Sequence, residues 1–123
     1  MILIVGQNPP SKKAASNPKG TATERKLSYW LNTLEIDDYR FINCSEDRGK
    51  TFKIDYDNLI KETRAQTVVA LGSVASKALT KINVEHFKMP HPSPMNRQLN
   101  DKEYERQKLM ELYLWLNDPN YSE

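Results

Sequence analysis

The sequence predicts a three-layer α/β/α domain with a central four-stranded parallel sheet. Short strand-like runs at residues 2–5, 39–43 and 67–71 are separated by segments with helical periodicity. Strands that alternate with helices are typical of a parallel sheet covered on both faces, with right-handed crossovers. At 123 residues the chain is long enough to bury one core. We therefore expect residues 1–123 to form a single domain.

The first third of the chain predicts a strand, a long loop and a helix. Residues 2–5 are a continuous apolar run, which is typical of a strand buried on both faces. Residues 7–22 contain three prolines and Gly20, and a loop of this length in a small domain is usually functional. Thr21 and Glu24 match a capping box that opens a helix. The expected buried face is formed by Leu27, Trp30, Leu31 and Leu34.

The middle of the chain predicts a second strand and a short helix. Asp37 and Asp38 end the first helix, and residues 39–43 follow as a strand. Residues 45–53 are polar and predict a loop, and residues 56–64 predict a helix. Its expected apolar contacts are Leu59 and Ile60.

The last third predicts two further strands and two further helices. Residues 67–71 form a buried strand, Gly72 begins a helix, and residues 84–89 form the fourth strand. Asn100 with Glu103 caps the last helix. The expected buried positions are Val74, Ala78 and Leu79 in the third helix, and Tyr104, Leu109, Leu112, Tyr113 and Leu116 in the fourth.

Composition narrows the class of protein. Charged residues make up 28% and hydrophobic residues 38%, as in ordinary soluble domains, and the net charge of +2 permits nucleic-acid binding without requiring it. The single cysteine, Cys44, rules out an internal disulfide and a cysteine-ligated metal cluster, and it suits a reducing cytoplasm. The apolar N-terminal run ends at Gly6, too early for a membrane span. We expect a cytoplasmic protein with no membrane partner and no cofactor.

Two motifs follow predicted strands and carry most of the chemical information. Gly6-Gln7-Asn8-Pro9 follows the first strand, and His91-Pro92-Ser93-Pro94-Met95-Asn96-Arg97 follows the fourth. Carboxyl ends of parallel strands meet at the edge where ligands bind. A glycine permits close approach, a proline fixes the turn, and a histidine can donate to a developing oxyanion. Taken singly, a local turn is the commoner explanation of the first motif, and an exposed turn histidine is an equal alternative for the second.

Taken together, the motifs resemble those of the uracil-DNA glycosylase superfamily. Two more segments add to the resemblance: Leu71-Gly72-Ser73-Val74-Ala75-Ser76-Lys77 and Phe41-Ile42-Asn43. The order of predicted strands and helices matches over the whole chain, and about 25 residues match the motifs in amino-acid identity. It implies hydrolysis of an N-glycosidic bond of uracil or a related altered base. The implied partner is DNA, single-stranded or double-stranded with a flipped base, bound by a monomer.

The resemblance also implies roles for single residues. Asn8 would position the attacking water, and His91 would hydrogen-bond the oxygen that carries the charge of the leaving base. Asn43 would pair with the Watson–Crick edge, while Gly6 and Gln7 would supply backbone contacts. A strand-end asparagine that satisfies a turn is an equal alternative for Asn43.

The remaining implied contacts are with the DNA strand. Met95 would act as an apolar wedge between bases, with a core gap-filler as the alternative. The other contacts with DNA, mostly with phosphate, would be made by Ser73, Ser93, Asn96 and Arg97, with Lys12 and Lys13 as additions.

The chain departs from the superfamily at several positions. Relatives stack the base on an aromatic ring in the loop after the first motif, but residues 17–23 contain no aromatic, and Trp30 fits a buried face better than a pocket. Asparagine at position 8 replaces the aspartate of many relatives, which predicts slower turnover. Pro10 replaces the tyrosine that excludes thymine in the most specific branch. The cysteines of the iron–sulfur branch are missing.

Two other functions remain open from the sequence. One is a non-catalytic module that binds DNA or a modified base on the same fold. The other is a small α/β enzyme that acts on a free nucleotide or nucleoside. Fold alone does not separate the three. We expect His86 to be structural, and nothing in the sequence marks Cys44 as an activated thiol.

Overall fold

Four parallel strands form the centre of the protein, as the sequence predicts. The computed structural model describes residues 1–10, 12, 16–48 and 52–117. In this part of the chain the sheet has the order β2-β1-β3-β4, and every neighbouring pair is parallel. The strands are β1 (Ile2–Gly6), β2 (Tyr39–Asn43), β3 (Thr67–Leu71) and β4 (Phe87–Met89).

Helices cover both faces of the sheet, which confirms the three-layer arrangement. They are α1 (Ala22–Thr33), α2 (Tyr56–Thr63), α3 (Gly72–Lys81) and α4 (Lys102–Asn117), with a 3₁₀ turn at Arg97–Asn100. One core cluster joins Ile4 of β1 to residues of α1 and α4, and the other joins Leu3 and Val5 to residues of α2 and α3. Alternate residues of β1 thus face opposite layers, as expected for a strand buried on both faces. None of the helices described here is long and apolar enough to cross a membrane.

A buried polar contact joins α1 to α4. Thr21 caps α1 by accepting a hydrogen bond from the Glu24 amide at 3.1 Å, as predicted. On the inner face Trp30 is 2% exposed, and its indole Nε1 donates to the Glu105 carboxylate at 3.0 Å. Lys26 Nζ lies 2.9 Å from the same carboxylate oxygen. Burial alone would raise the pKa of Glu105, but hydrogen bonds from Lys26 and Trp30 and the Lys26 charge outweigh it and lower that pKa.

Some side chains predicted to be buried are exposed instead. In α2 Leu59 is buried but Ile60 is 41% exposed, because neighbouring helical residues point in different directions. In α3 Ala75 is fully buried and Val74 only partly, because Ala75, Ala78 and Leu79 follow the i, i+3, i+4 spacing of one helix face. In α4 Leu109 and Leu112 are buried as predicted, but Tyr113 is 51% exposed.

Two element boundaries also differ from the prediction. The cap of α4 is Asp101 rather than Asn100, since Asp101 Oδ1 accepts from the amides of Glu103 at 3.0 Å and Tyr104 at 3.3 Å. Strand β4 begins only at Phe87, not at residue 84. The reason lies in His86, whose Nδ1 contacts the Val84 carbonyl oxygen and whose Nε2 contacts Ser76 Oγ, both at 2.8 Å. These contacts attach the segment to α3 instead of to the sheet.

The carboxyl ends of β1 and β2 are held in register beyond the strands. Gly6 is paired with Asn43, and the ladder continues as the amides of Cys44 and Ser45 donate to the carbonyl oxygens of Gly6 and Gln7 at 2.9 and 3.2 Å. The first motif therefore leaves the sheet beside the end of β2, and its position is fixed by backbone hydrogen bonds.

Candidate functional site

A cleft of about 440 Å³ opens at the carboxyl edge of the sheet. The first motif, the end of β2 and the histidine of the second motif all line it, so the structure brings together side chains that the sequence predicted to meet. The lining residues are Gly6, Gln7, Asn8, Pro9, Pro10, Thr21, Thr23, Glu24, Leu27, Phe41, Asn43, Leu71 and His91. A concave site of this size with few polar groups is typical of small-molecule recognition.

Gly6 allows two side chains of β2 to approach the first motif. A Cβ atom at position 6 would lie 2.8 Å from Phe41 Cζ and 3.0 Å from Asn43 Oδ1. Any other residue there would displace both side chains, so glycine is required for the shape of the cleft. The Asn43 amide has no hydrogen-bond partner among the residues that the structure describes. Its donor and acceptor are therefore available to a ligand in the cleft.

Phe41 is the aromatic side chain that the sequence analysis missed. It lies in β2, two residues before Asn43, so both side chains point to the same face of the strand. Its ring lines the cleft and is 44% exposed, although a phenylalanine in a central layer is normally buried. The signal in the sequence is its period-2 relation to Asn43.

Asn8 is held by the loop that follows β2. Its Nδ2 donates to the main-chain oxygen of Asp47 at 3.1 Å, which fixes the orientation of the amide. Arg48 Nη1 donates to the Pro10 carbonyl oxygen at 2.6 Å and ties the same two loops together. The first motif is thus a rigid wall of the cleft.

His91 presents a neutral hydrogen-bond donor. The Ser93 amide donates to its Nδ1 at 3.2 Å, so Nδ1 is an acceptor and the ring proton is on Nε2. Burial lowers the pKa of His91, which favours the uncharged imidazole near neutral pH. An Nε2–H group at the wall of a cleft can stabilise negative charge that develops on a bound oxygen.

Gly72 makes room for the His91 ring. Its φ of +89° is a conformation that side chains rarely adopt, and a Cβ there would lie 3.1 Å from His91 Cβ and 3.2 Å from His91 Cδ2. The glycine at the start of α3 therefore supports the histidine from behind.

Hydrogen bonds within the second motif shape the loop that follows His91. Asn96 Nδ2 donates to the His91 carbonyl oxygen at 3.0 Å, and Asn96 Oδ1 accepts from the Gln98 amide at 3.2 Å. Ser93 Oγ accepts from the Met95 amide at 3.1 Å. Met95 is at the tip of this turn and is 86% exposed, which excludes a role as a core gap-filler.

A second groove of about 430 Å³ lies on the other side of His91. We call it the basic groove, because Lys88 and Lys108 line it and no acidic side chain is among its described lining residues, although Lys108 Nζ also lies 3.0 Å from Glu111 Oε2. The lining residues are Gly72, Ser73, Lys88, Pro90, His91, Asn96, Gln98, Tyr104 and Lys108. Ser93, Met95 and Arg97 belong to the same loop but are not part of either lining. Lys12 is exposed, and Lys13 is outside the described residues.

Cys44 and His86 are the two remaining side chains that could take part in a reaction, and both have structural roles. Burial raises the pKa of Cys44 to about 11, so the thiol stays protonated and is a poor nucleophile. His86 bridges α3 and the segment before β4 through the contacts given above. Within residues 1–10, 12, 16–48 and 52–117, no three His, Cys, Asp or Glu side chains are grouped so that they could hold a metal ion.

Comparison with known proteins assigns neither a family nor a function to the chain. No protein-family model matches the chain, and a search of curated proteins finds no significant match.

Proposed function

We propose that this protein is a DNA glycosylase that releases uracil or a related altered base and leaves an abasic site. The observation that carries the proposal is that three groups line one cleft. They are the exposed ring of Phe41, the amide of Asn43, which has no partner in the described chain, and the neutral hydrogen-bond donor of His91. These three groups match the needs of a planar base with hydrogen-bonding edges and a carbonyl oxygen.

The binding step uses the first two of these groups. A base that enters the cleft stacks on Phe41, since any nucleobase offers a flat π-face to an aromatic ring. Asn43, on the same face of β2, hydrogen-bonds the polar edge of the base. Because a base inside a duplex is inaccessible, the nucleotide is flipped out or supplied from a single strand.

The bond-breaking step depends on His91. As the C1′–N bond breaks, its electron pair leaves with the base, and negative charge develops on a base oxygen. The Nε2–H of His91 donates to that oxygen. Loss of one such donor typically lowers the rate about 10²–10³-fold. Asn8 and Gln7 line the same cleft and hold water and base by hydrogen bonds.

The surroundings of the cleft suit a DNA strand. Met95 projects from the turn beside the cleft and can enter the gap left by a flipped base. Ser73, at the start of α3, lines the basic groove and can contact phosphate. Ser93, Asn96 and Arg97 extend the same surface.

The proposal is tested with labelled oligonucleotides that carry one uracil, in single-stranded and double-stranded form. Alkali breaks the strand at each abasic site that the protein produces. Breakage at uracil that is lost in His91→Gln supports the assignment. Release of uracil from dUMP without any action on DNA would favour the free-nucleotide enzyme instead.

A second function is favoured by one specific observation, the amide at position 8. Asn8 cannot accept a proton, and its Nδ2 is committed to Asp47. A non-catalytic module that binds an altered base would need only the stacking ring and the hydrogen-bonding amide. Tight binding of uracil-containing DNA with no abasic product after long incubation would support that function.

A further inference from the structure

The first motif contains no carboxylate, but a carboxylate from elsewhere in the chain lines the cleft. Among the described residues that line it, Glu24 is the one acidic side chain. It belongs to the first turn of α1 rather than to either motif. Hydrolysis of a glycosidic bond benefits from a group that accepts a proton from the attacking water, and the amide of Asn8 is unsuited to that task.

The Glu24 carboxylate lies over the turn at Gly20, which precedes α1. Its backbone is fixed because Thr21 Oγ1 accepts from the Glu24 amide at 3.1 Å. Its Oε2 lies 2.7 Å from the position of a Cβ atom at Gly20, whose φ is +76°. Glycine at position 20 therefore leaves the space that the carboxylate occupies.

The carboxylate is not committed to another contact. Within the described chain, no hydrogen bond or ion pair involves the Glu24 side-chain oxygens. The neighbouring cation, Arg25, donates to the Gly20 carbonyl oxygen at 2.8 Å instead. The side chain of Glu24 is also exposed, so water reaches it at the mouth of the cleft.

We propose that Glu24 is the general base of the glycosylase reaction, an inference that rests on the proposed function. The Glu24 carboxylate accepts a proton from water, and the water oxygen forms a bond to C1′ of the sugar. The C1′–N bond breaks, and its electron pair leaves with the base, whose negative oxygen accepts a hydrogen bond from His91 Nε2–H. The released base then takes up a proton from solvent, and Glu24 returns its own proton to solvent.

The test measures single-turnover release of uracil from a single-stranded oligonucleotide by the full chain. General bases typically contribute about 10²–10⁴-fold, so we expect Glu24→Gln to lower the rate at least about 10²-fold while DNA affinity changes less than about threefold. Glu103→Gln is the matched control, because Glu103 is also an exposed acid in the first turn of a helix. It should leave the rate unchanged.

Chemical rescue separates a proton acceptor from a structural side chain. We expect sodium formate to restore part of the activity of Glu24→Ala, and sodium chloride at the same ionic strength to restore none. A Glu24→Gln rate within about threefold of the wild type would overturn the assignment of Glu24 and leave the glycosylase standing, and so would a failure of formate to rescue. If the wild-type protein produces no abasic site, the proposed function and the role of Glu24 fail together.

Discussion

The imidazole of His91 packs directly against the Cα of Gly72, at the point where β3 turns into α3. A Cβ atom at position 72 would lie 3.1 Å from His91 Cβ and 3.2 Å from Cδ2 of its ring, and the φ of +89° at Gly72 is itself unfavourable for other residues. Gly72 directly follows β3 and His91 lies in the loop after β4, and these two strands are neighbours in the sheet, so the fold rather than the local sequence brings the two residues together. His91 can occupy its position in the cleft because Gly72 has no side chain.

We expect Gly72→Ala to lower base release more strongly than it lowers stability. The positive φ costs of order 1–3 kcal/mol, and the new methyl group displaces the His91 ring from the cleft. Asn83→Ala is the matched control, because Asn83 has a φ of +59° and is exposed at the far end of α3. Chemical denaturation and single-turnover rates should show comparable losses of stability but an activity loss confined to Gly72→Ala. Equal activity in the two variants would contradict the supporting role of Gly72.

Asn96 determines the conformation of the loop that carries His91. Asn96→Ala removes the hydrogen bond to the His91 carbonyl oxygen and the one from the Gln98 amide, which together stabilise the loop by roughly 1–3 kcal/mol. We expect about a tenfold or greater loss of activity, together with a melting temperature that is lower by several degrees, since a small domain responds to a loss of this size. Asn100→Ala, an exposed neighbour in the 3₁₀ turn, serves as the control and should behave as wild type. Asn96→Asp keeps the acceptor and loses the donor, so an intermediate rate is expected.

The sequence alone predicts the strands of the sheet, because each strand is marked by the residues of its own short segment. β2 and β3 begin and end at the predicted residues, and the two motifs meet because parallel strands share an edge. Tertiary contacts decided what the sequence did not show. The Phe41 ring lies beside the first motif because Gly6 on the neighbouring strand leaves space for it, and Glu24 lines the cleft because α1 begins at its rim. The cap of α4 moved to Asp101 because a preceding 3₁₀ turn occupies Asn100.

Phe41 is expected to contribute to binding of the base and little to stability. Stacking of a base on an aromatic ring is worth about 1–3 kcal/mol, so Phe41→Ala should weaken binding of uracil-containing single-stranded DNA roughly 5–150-fold. Tyr39→Ala is the matched control, because Tyr39 is 42% exposed on the same face of β2 but lies at the opposite end of the strand. Fluorescence anisotropy at fixed salt compares the two. An affinity loss in Tyr39→Ala as large as that in Phe41→Ala would show that the effect is not local to the cleft.

Lys88 is expected to contact the DNA backbone. It lies on the edge strand β4, is exposed, and lines the basic groove beside His91. Each phosphate contact made by a lysine releases counterions, so Lys88→Gln should weaken binding to any sequence and reduce the slope of log K against log salt by about one. Lys61→Gln is the control, because Lys61 is in the last turn of α2, at the edge of the sheet where β3 begins. Unchanged slopes in both variants would exclude the groove from the DNA interface.

The lowered pKa of His91 gives the protein a defined dependence of stability on pH. In the unfolded chain a histidine titrates near pH 6.5, but burial lowers the pKa of His91 in the folded protein. Between the two pKa values the unfolded state binds more protons, so the free energy of unfolding rises with pH through this window and levels off above about pH 6.5. Acidification through the same window therefore destabilises the protein, since protonation also breaks the hydrogen bond from the Ser93 amide to Nδ1.

Urea denaturation of the wild type and of His91→Gln between about pH 5 and 7.5 measures this dependence. We expect the wild type to lose stability on the acid side of the window and His91→Gln to have a flatter profile. Glu105 does not confound the comparison, because its pKa is lowered and its contribution to stability is lost only at more acidic pH. Parallel profiles for the two proteins would mean that His91 is solvated and titrates normally, and a neutral Nε2 donor in the cleft would then have no physical basis.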